Sequence, residues 1–475
     1  MQVFKQWPIY FIGRILPAAV GFCAVALYTR LLDPASFGTY ALLLSTSFVV
    51  GLMGYTWLRV ASLRMTATVA PAAEPDLMAT IGLGFAALSL PVTAVIVLVV
   101  RIGDPHVGWP GIVLTAGCAV MSAWFELNVA IMQARLRVVA YSILQMSRAL
   151  GMVISSVLLI QAGLKADALL GGFIIGNCAG FGAFGLWKCA FAGTFDPKLL
   201  RQMFHFGWPS SATSFSNLSA TFQRYWLNAI GGSAAVGIFA AAGDFSQQTI
   251  GLLVGTATLA GQPLAFRARD SGDHQQLIVQ LRNNARLVFA IGLPAAAGLM
   301  ALSGPISQVY LGSRFHVHSG AVMAISAAFT FLAGIRTNYF EQIFEIAFKT
   351  RAIAVNTALR VLLTIALSFW LIGRYGAVGA AMAVLLAESA GFLLSIIWAQ
   401  RVLHVPMPFE TLAKIGGATA AMAATLLVFP GRTTFLGLTA AIVAGVIVYA
   451  GAIALTHLRL LLSHFVSPGP VTTRS

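Results

Sequence analysis

Eight charged residues stand inside long apolar stretches: Arg14, Arg148, Arg224, Arg336 and Arg360, with Glu126, Asp244 and Glu388. A charge at bilayer depth costs at least about 2.5–3.5 kcal/mol, so each must face an interior cavity, a partner of opposite sign or the edge of the membrane. For the arginines, one reading is that each guanidinium snorkels along its stem to the headgroup region. The other is binding. A guanidinium stays charged when desolvated and meets phosphate oxygens in a bidentate fork, so arginines lining the gap between two helix bundles suit an anionic headgroup such as a pyrophosphate. For the acids, the readings are an ion pair with a neighbouring arginine, or a coupling site for a proton or cation. Asp244 and Glu388 fall near the middle of their stretches, and Glu126 nearer one end.

The elements that must position these groups are membrane helices. With 59% hydrophobic and 9% charged residues and a mean hydropathy of +0.86, the chain is far more apolar than a soluble domain, which carries about a quarter charged residues. A bilayer core needs about 20 apolar residues per helix. About fourteen stretches qualify, from Pro8–Tyr28 at the start to Leu412–Val428 and Phe435–Leu455 at the end. The fold class read from this is an all-α integral membrane protein. Of the 29 Lys and Arg residues, 18 fall on one set of alternate connections and span ends, six on the other (Arg30, Arg101, Lys165, Arg314, Arg374, Arg432), and five lie deep in the spans. The positive-inside rule then predicts both termini in the cytoplasm. The net charge of +15 is largely this orientation signal, which excludes a nucleic-acid partner as its explanation.

An internal repeat organises the stretches. ASFGTYA at 35–41 aligns with AAVGIFA at 234–240, an offset of 199 residues, at the start of the second and eighth helices. Arg148, Leu150, Ser156, Leu159, Ile160 and Ala168 align with Arg360, Leu362, Ser368, Leu371, Ile372 and Ala380, an offset of 212. Both halves begin on the same side, so two six-helix bundles related by a pseudo-two-fold along the membrane normal are expected. The boundaries read as 1–200 for the first lobe, 201–404 for the second, and 405–475 for two additional helices and a short tail. Pro17 and Pro209, in the first helix of each half, are the candidate hinges.

Enzymatic motifs are absent. There is no GxxxxGK[ST] loop, HExxH or GxSxG, and Cys23, Cys118, Cys178 and Cys189 read as small core residues rather than metal ligands or disulfides. No catalytic residue, metal or cofactor is expected. The longest inner connection, 261–286, reads either as a short surface helix or as a solvated loop, and the last nine residues as a disordered tail.

YTRLLDPASFGTYALL at Tyr28–Leu43 resembles the opening of bacterial polysaccharide exporters and O-antigen-type lipid-linked oligosaccharide flippases, in the multidrug, oligosaccharidyl-lipid and polysaccharide exporter superfamily. FGWP at Phe206–Pro209 and Arg224 ahead of GGSAAVGIFAAA at Gly231–Ala242 resemble the family's seventh-to-eighth helix segment. Gln223 stands where the family often has an acid, which puts a local ion pair with Arg224 in doubt. The resemblance implies two lobes around a central cationic cavity. It implies alternating access that moves a polyprenyl-pyrophosphate-linked oligosaccharide across the bacterial inner membrane for surface polysaccharide assembly. Its partners would be the lipid-linked substrate, membrane lipids and a polysaccharide polymerase or export machinery. Arg14, Arg148, Arg224, Arg336 and Arg360 are then the headgroup contacts, and Glu126, Asp244 and Glu388 the coupling or ion-pair groups. A lipid II flippase and a multidrug/cation antiporter are the alternatives within the superfamily.

Overall fold

A computed structural model describes residues 2–182, 193–258, 261–403 and 408–466; the side chains of 2–15 and 456–466 are not among those described. Outside short connections the described chain is helical, as an apolar environment requires when every backbone N–H and C=O must bond within its own segment. The helices are α1 (Gln2–Leu31), α2 (Pro34–Thr68), α3 (Glu74–Gly103), α4 (Trp109–Ala134), α5 (Val138–Gln161), α6 (Ala166–Gly182) and α7 (Pro197–Ala212). They continue as α8 (Leu218–Thr258), α9 (Gly261–Asp270), α10 (His274–Tyr310), α11 (His316–Ile335), α12 (Glu341–Ile346), α13 (Thr350–Val402), α14 (Phe409–Val428) and α15 (Phe435–Val466).

Ten helical elements among the described residues are long and apolar enough to cross a bilayer, and α1 and α6 hold shorter apolar helices. Two of the ten are pairs: α8 breaks at Gly232 (φ 73°) and α13 at Gly376 (φ 54°), both in the left-handed region that favours glycine. Splitting those two and adding α1 and α6 gives the fourteen helices expected of this multi-pass membrane protein. The 261–286 connection folds as α9 followed directly by the first turns of α10, so much of what reads as a loop is a continuation of a span. Pro209 lies inside α7, and the helix gives way to a 3₁₀ stretch at Thr213–Asn217 before α8. The terminal tail lies outside the described residues.

Helix starts follow local chemistry. In LLDPASFG, Asp33 caps α2: its carboxylate accepts from the Ser36 backbone N–H and hydroxyl, both at 2.9 Å, and Pro34 fills the first helical position, where no N–H is needed. Partial burial opposes the charged carboxylate, but the hydrogen bonds from Ser36 outweigh it and hold Asp33 below its ordinary value. The folded-state value is the depressed one, so the cap's contribution is full above the ordinary carboxylate range and is lost as pH falls through the lowered value. Asp33→Ala should therefore cost about 1 kcal/mol at neutral pH and nothing in strong acid, read as the shift in thermal unfolding midpoint against pH.

Two compact units divide the chain: Met1–Ala240 with Ile365–Ala377, and Ala241–Thr364 with Val378–Ser475. The first has its core where α2, α3 and α4 meet, around Leu58, Leu77, Ile96, Ile112 and Phe125. There the rings of Tyr55, Phe85 and Trp124 lie in sequence at 4.9 and 5.1 Å between centroids. In the second, α10 packs on α11, and α14 joins α10, burying Val288, Leu302, Phe315 and Met323.

Candidate functional site

In the first unit, α2 presents Ser47, Gly51, Tyr55 and Arg59 on one face, four residues apart, as helical periodicity requires. With Ser122 and Glu126 of α4 and Arg148 of α5, this face encloses a cavity of about 360 Å³. Arg148 donates from Nη1 to Glu126 Oε1 at 3.2 Å and lies over the Phe125 ring, 4.6 Å from its centroid. Their side chains are 28% and 43% exposed, so neither charge is sealed from a ligand. Arg59 lines the same cavity and has no ion-pair partner among the described residues. Two guanidiniums against one carboxylate leave a net positive charge in a largely apolar cavity, where attraction for an anion is stronger than in water. The Thr56 hydroxyl, also on the wall, is buried without a hydrogen-bond partner among the described residues. In sequence Arg59 is one of the 18 charges of the orientation pattern, and the four-residue spacing along 47–59 is the signal that it shares a face with Ser47, Gly51 and Tyr55.

The second unit holds a different arrangement. Arg336, Glu341, Arg360 and Glu388 form one ion-paired group: Glu388 takes Arg336 Nε on Oε2 at 3.2 Å and Arg360 Nη1 on Oε1, and Glu341 takes Arg336 Nη1. The local cause is a π turn at Arg336–Phe340, closed by the Glu341 N–H on the Arg336 carbonyl. In a regular helix a residue five on would sit about 140° round the axis; the i→i+5 turn brings Glu341 back over Arg336. The residues Arg336 and Glu388 are 5% and 9% exposed. With two charges of each sign, the group is balanced. Asp244 lies half-buried on the 233–258 arm of α8 and is not one of the four.

Arg224 has a third setting. It donates from Nη1 to the Ala41 carbonyl of α2 at 3.0 Å. Beside it the Tyr225 and Thr46 hydroxyls share a hydrogen bond of 2.9 Å, and Gln223 donates to Ser368 Oγ at 3.0 Å. Just beyond, α2 and the 233–258 arm of α8 touch backbone to backbone. A Cβ on Gly38 would fall 1.8 Å from the Ser233 carbonyl oxygen, and one on Gly237 would fall 2.0 Å from that of Pro34. Pro34 with Ser233, and Gly38 with Gly237, are each 199 residues apart, so the repeat read from ASFGTYA and AAVGIFA makes a reciprocal contact with itself. The side chain of Arg14 lies outside the described residues. The structure thus joins Arg336 with Arg360, pairs Arg148 with Glu126, and commits Arg224 to a helix contact. The repeat mate of Glu388, Gly176, packs on α5, where an added Cβ would come 2.8 Å from the Arg148 carbonyl oxygen.

By class this is an all-helical, multi-pass membrane protein with the fold of lipid and drug transporters. A lipid II flippase, MurJ, in its inward closed conformation is similar at a TM-score of 0.77, with 14% identity, over 95% of this chain and 99% of that one. An inward-facing transporter of the multidrug resistance MATE family is similar at 0.64, with 12% identity, over 86% and 99%. Residues 27–320 match the family described as polysaccharide biosynthesis protein, and the chain belongs to that family. A curated relative, a probable low-salt glycan biosynthesis flippase of Haloferax volcanii, is 23% identical over 465 residues, 95% of this chain and 94% of its own.

Proposed function

We propose that the protein is a flippase that carries a polyprenyl-pyrophosphate-linked oligosaccharide across the bacterial cytoplasmic membrane by alternating access, for exopolysaccharide, capsule or O-antigen assembly. The observation that carries this is the cavity between α2, α4 and α5. Arg59, which has no ion-pair partner among the described residues, and the partly exposed Arg148 offer the two guanidiniums that a pyrophosphate would take. Family membership and the flippase relative support the cargo class. On this reading the chain is a transporter and not an enzyme, with both termini cytoplasmic. It has lobes over 1–200 and 201–404 with two helices added, and its partners are the lipid-linked saccharide, membrane lipids and a polymerase or export machinery. The excess of cationic over acidic groups in the cavity favours an anionic headgroup over the drug cations of an antiporter. Lipid II would present the same pyrophosphate; its export is indispensable, so growth of a deletion strain separates the two cargoes.

The test is to delete the gene and assay lipid-linked saccharides with an impermeant sugar-modifying reagent. Accumulation of protected, inner-leaflet saccharide is expected, with rescue by the wild type. Arg59→Ala and Arg148→Ala should each lower flipping by about tenfold or more, since a hydrogen bond to a charged group contributes about 1.5–3 kcal/mol. Unchanged pools in the deletion would reject the cargo.

A further inference from the structure

Two helix connections in the chain share one backbone form. At the α4–α5 junction, the N–H groups of Arg135, Leu136 and Arg137 donate to the carbonyls of Ile131 (3.1 Å), Gln133 (3.0 Å) and Met132 (3.0 Å). At the α12–α13 junction, Ala347, Phe348 and Lys349 donate to Ile343 (3.0 Å), Glu345 (3.0 Å) and Phe344 (2.9 Å). Every atom pair is displaced by 212 residues, the offset that relates Arg148 to Arg360. This is the Schellman ending, whose C′ residue takes left-handed φ and is usually glycine. Here it is Leu136 at φ 53° and Phe348 at φ 55°. The chain does use glycine elsewhere: Gly163 closes α5 with the same pattern of bonds at φ 88°.

Both halves therefore keep a large apolar side chain at a position where glycine would relieve strain, and both expose it. Leu136 is 75% exposed and Phe348 80%. Such a residue contributes little to its own unit's packing. Cationic side chains stand beside each. Arg137 follows Leu136, exposed and without an ion pair among the described residues; Arg135 is held by Glu74. The guanidinium of Arg269 lies over the Phe348 ring at 4.2 Å, and Lys349 and Arg351 are exposed beside it.

We propose that Leu136 and Phe348 are interfacial wedges. The left-handed turn holds each apolar side chain outward to enter the acyl boundary at the basic face of the bilayer, while Arg137, Arg269, Lys349 and Arg351 engage anionic phospholipid headgroups. Apolar tip and flanking cations together match an anionic lipid surface. The inference is independent of the cargo.

The experiment uses the full chain, with its four cysteines replaced and Leu136→Cys or Phe348→Cys carrying an environment-sensitive fluorophore. The protein is placed in nanodiscs of phosphatidylcholine, alone or with an equal part of phosphatidylglycerol. Blue-shifted emission and quenching by brominated acyl chains, stronger with phosphatidylglycerol, are expected. In parallel, Leu136→Gly and Phe348→Gly should leave the Tm in detergent unchanged or raised, because strain is released. They should also cut the phosphatidylglycerol-dependent rise in Tm by about half. Water-like emission in both discs, or an undiminished lipid-dependent rise in the glycine variants, would overturn the proposal. So would a label protected only when a second protein is added, which would make these sites protein docking points.

Discussion

Replacing Gly38 with alanine is expected to pull α2 away from α8. The new methyl group would lie 1.8 Å from the Ser233 carbonyl oxygen and 2.7 Å from the Gly237 nitrogen, both backbone atoms that cannot rotate aside. Overpacking of this kind costs about 1–3 kcal/mol, which shifts the ratio of closed to parted forms by about five- to 150-fold. The readout is a cysteine at Thr46, a fully buried position two turns further along α2, in a chain without other cysteines. Impermeant thiol reagents should label it slowly when residue 38 is glycine and about fivefold faster or more after Gly38→Ala. The reciprocal geometry adds a stricter requirement. Gly237→Ala should produce the same effect, and the double substitution little more, because both methyl groups part the same two backbones. Equal labelling in all four proteins would show that the two helices do not meet this way in the membrane.

Glu388→Gln should be among the most damaging single changes in the second unit. It leaves the buried Arg336 and the partly buried Arg360 with Glu341 as the one remaining carboxylate of the group, and breaking a buried pair in this way costs about 3–5 kcal/mol. Arg360→Met should cost a similar amount, for the opposite excess. The pair Arg360→Met with Glu388→Met removes one charge of each sign and leaves Arg336 on Glu341. It should return stability to near the wild-type level, since apolar replacement of a whole buried pair is often neutral. The order of thermal midpoints in detergent checks this: both single variants low, the double variant restored. A Glu388→Gln protein with an unchanged midpoint, but a transport rate that has lost its dependence on pH or sodium, would instead assign the carboxylate to coupling.

Much of the fold was legible because it is written in periodicity that one sequence displays. The apolar stretches, the alternation of Lys and Arg, and the repeat at 35–41 and 234–240 all concern chain composition and order. The Gly38–Gly237 contact and the matching turns at Leu136 and Phe348 show that the two repeat offsets have real structural counterparts. The site was less legible, since what an arginine does depends on the face it occupies. Arg59 sits near the end of its span like any orientation charge, and the cavity it lines appears once α2, α4 and α5 are placed together. The π turn at Arg336 has no signature in RTNYF, yet it brings Glu341 onto the arginine. Pairing of Arg148 with Glu126 and of Arg360 with Glu388 was among the readings open from sequence; which carboxylate each half would use was not, because Glu126 comes from α4 and Glu388 from α13.

The balanced group also bears on how the chain enters the membrane as it is synthesised. Arg336 emerges with Glu341 five residues behind it, and Arg360 with Glu388 28 residues behind it, on the other arm of the hairpin that Gly376 folds back. Each cation can therefore partition together with its own anion, one within a single span and one within a two-helix hairpin, before the 52-residue link from Arg336 to Glu388 is made. A ribosome-bound chain that released the first arm of α13 alone would have to bury Arg360 bare, at about 2.5–3.5 kcal/mol. Delivered as a hairpin, the two arms cross as a neutral pair.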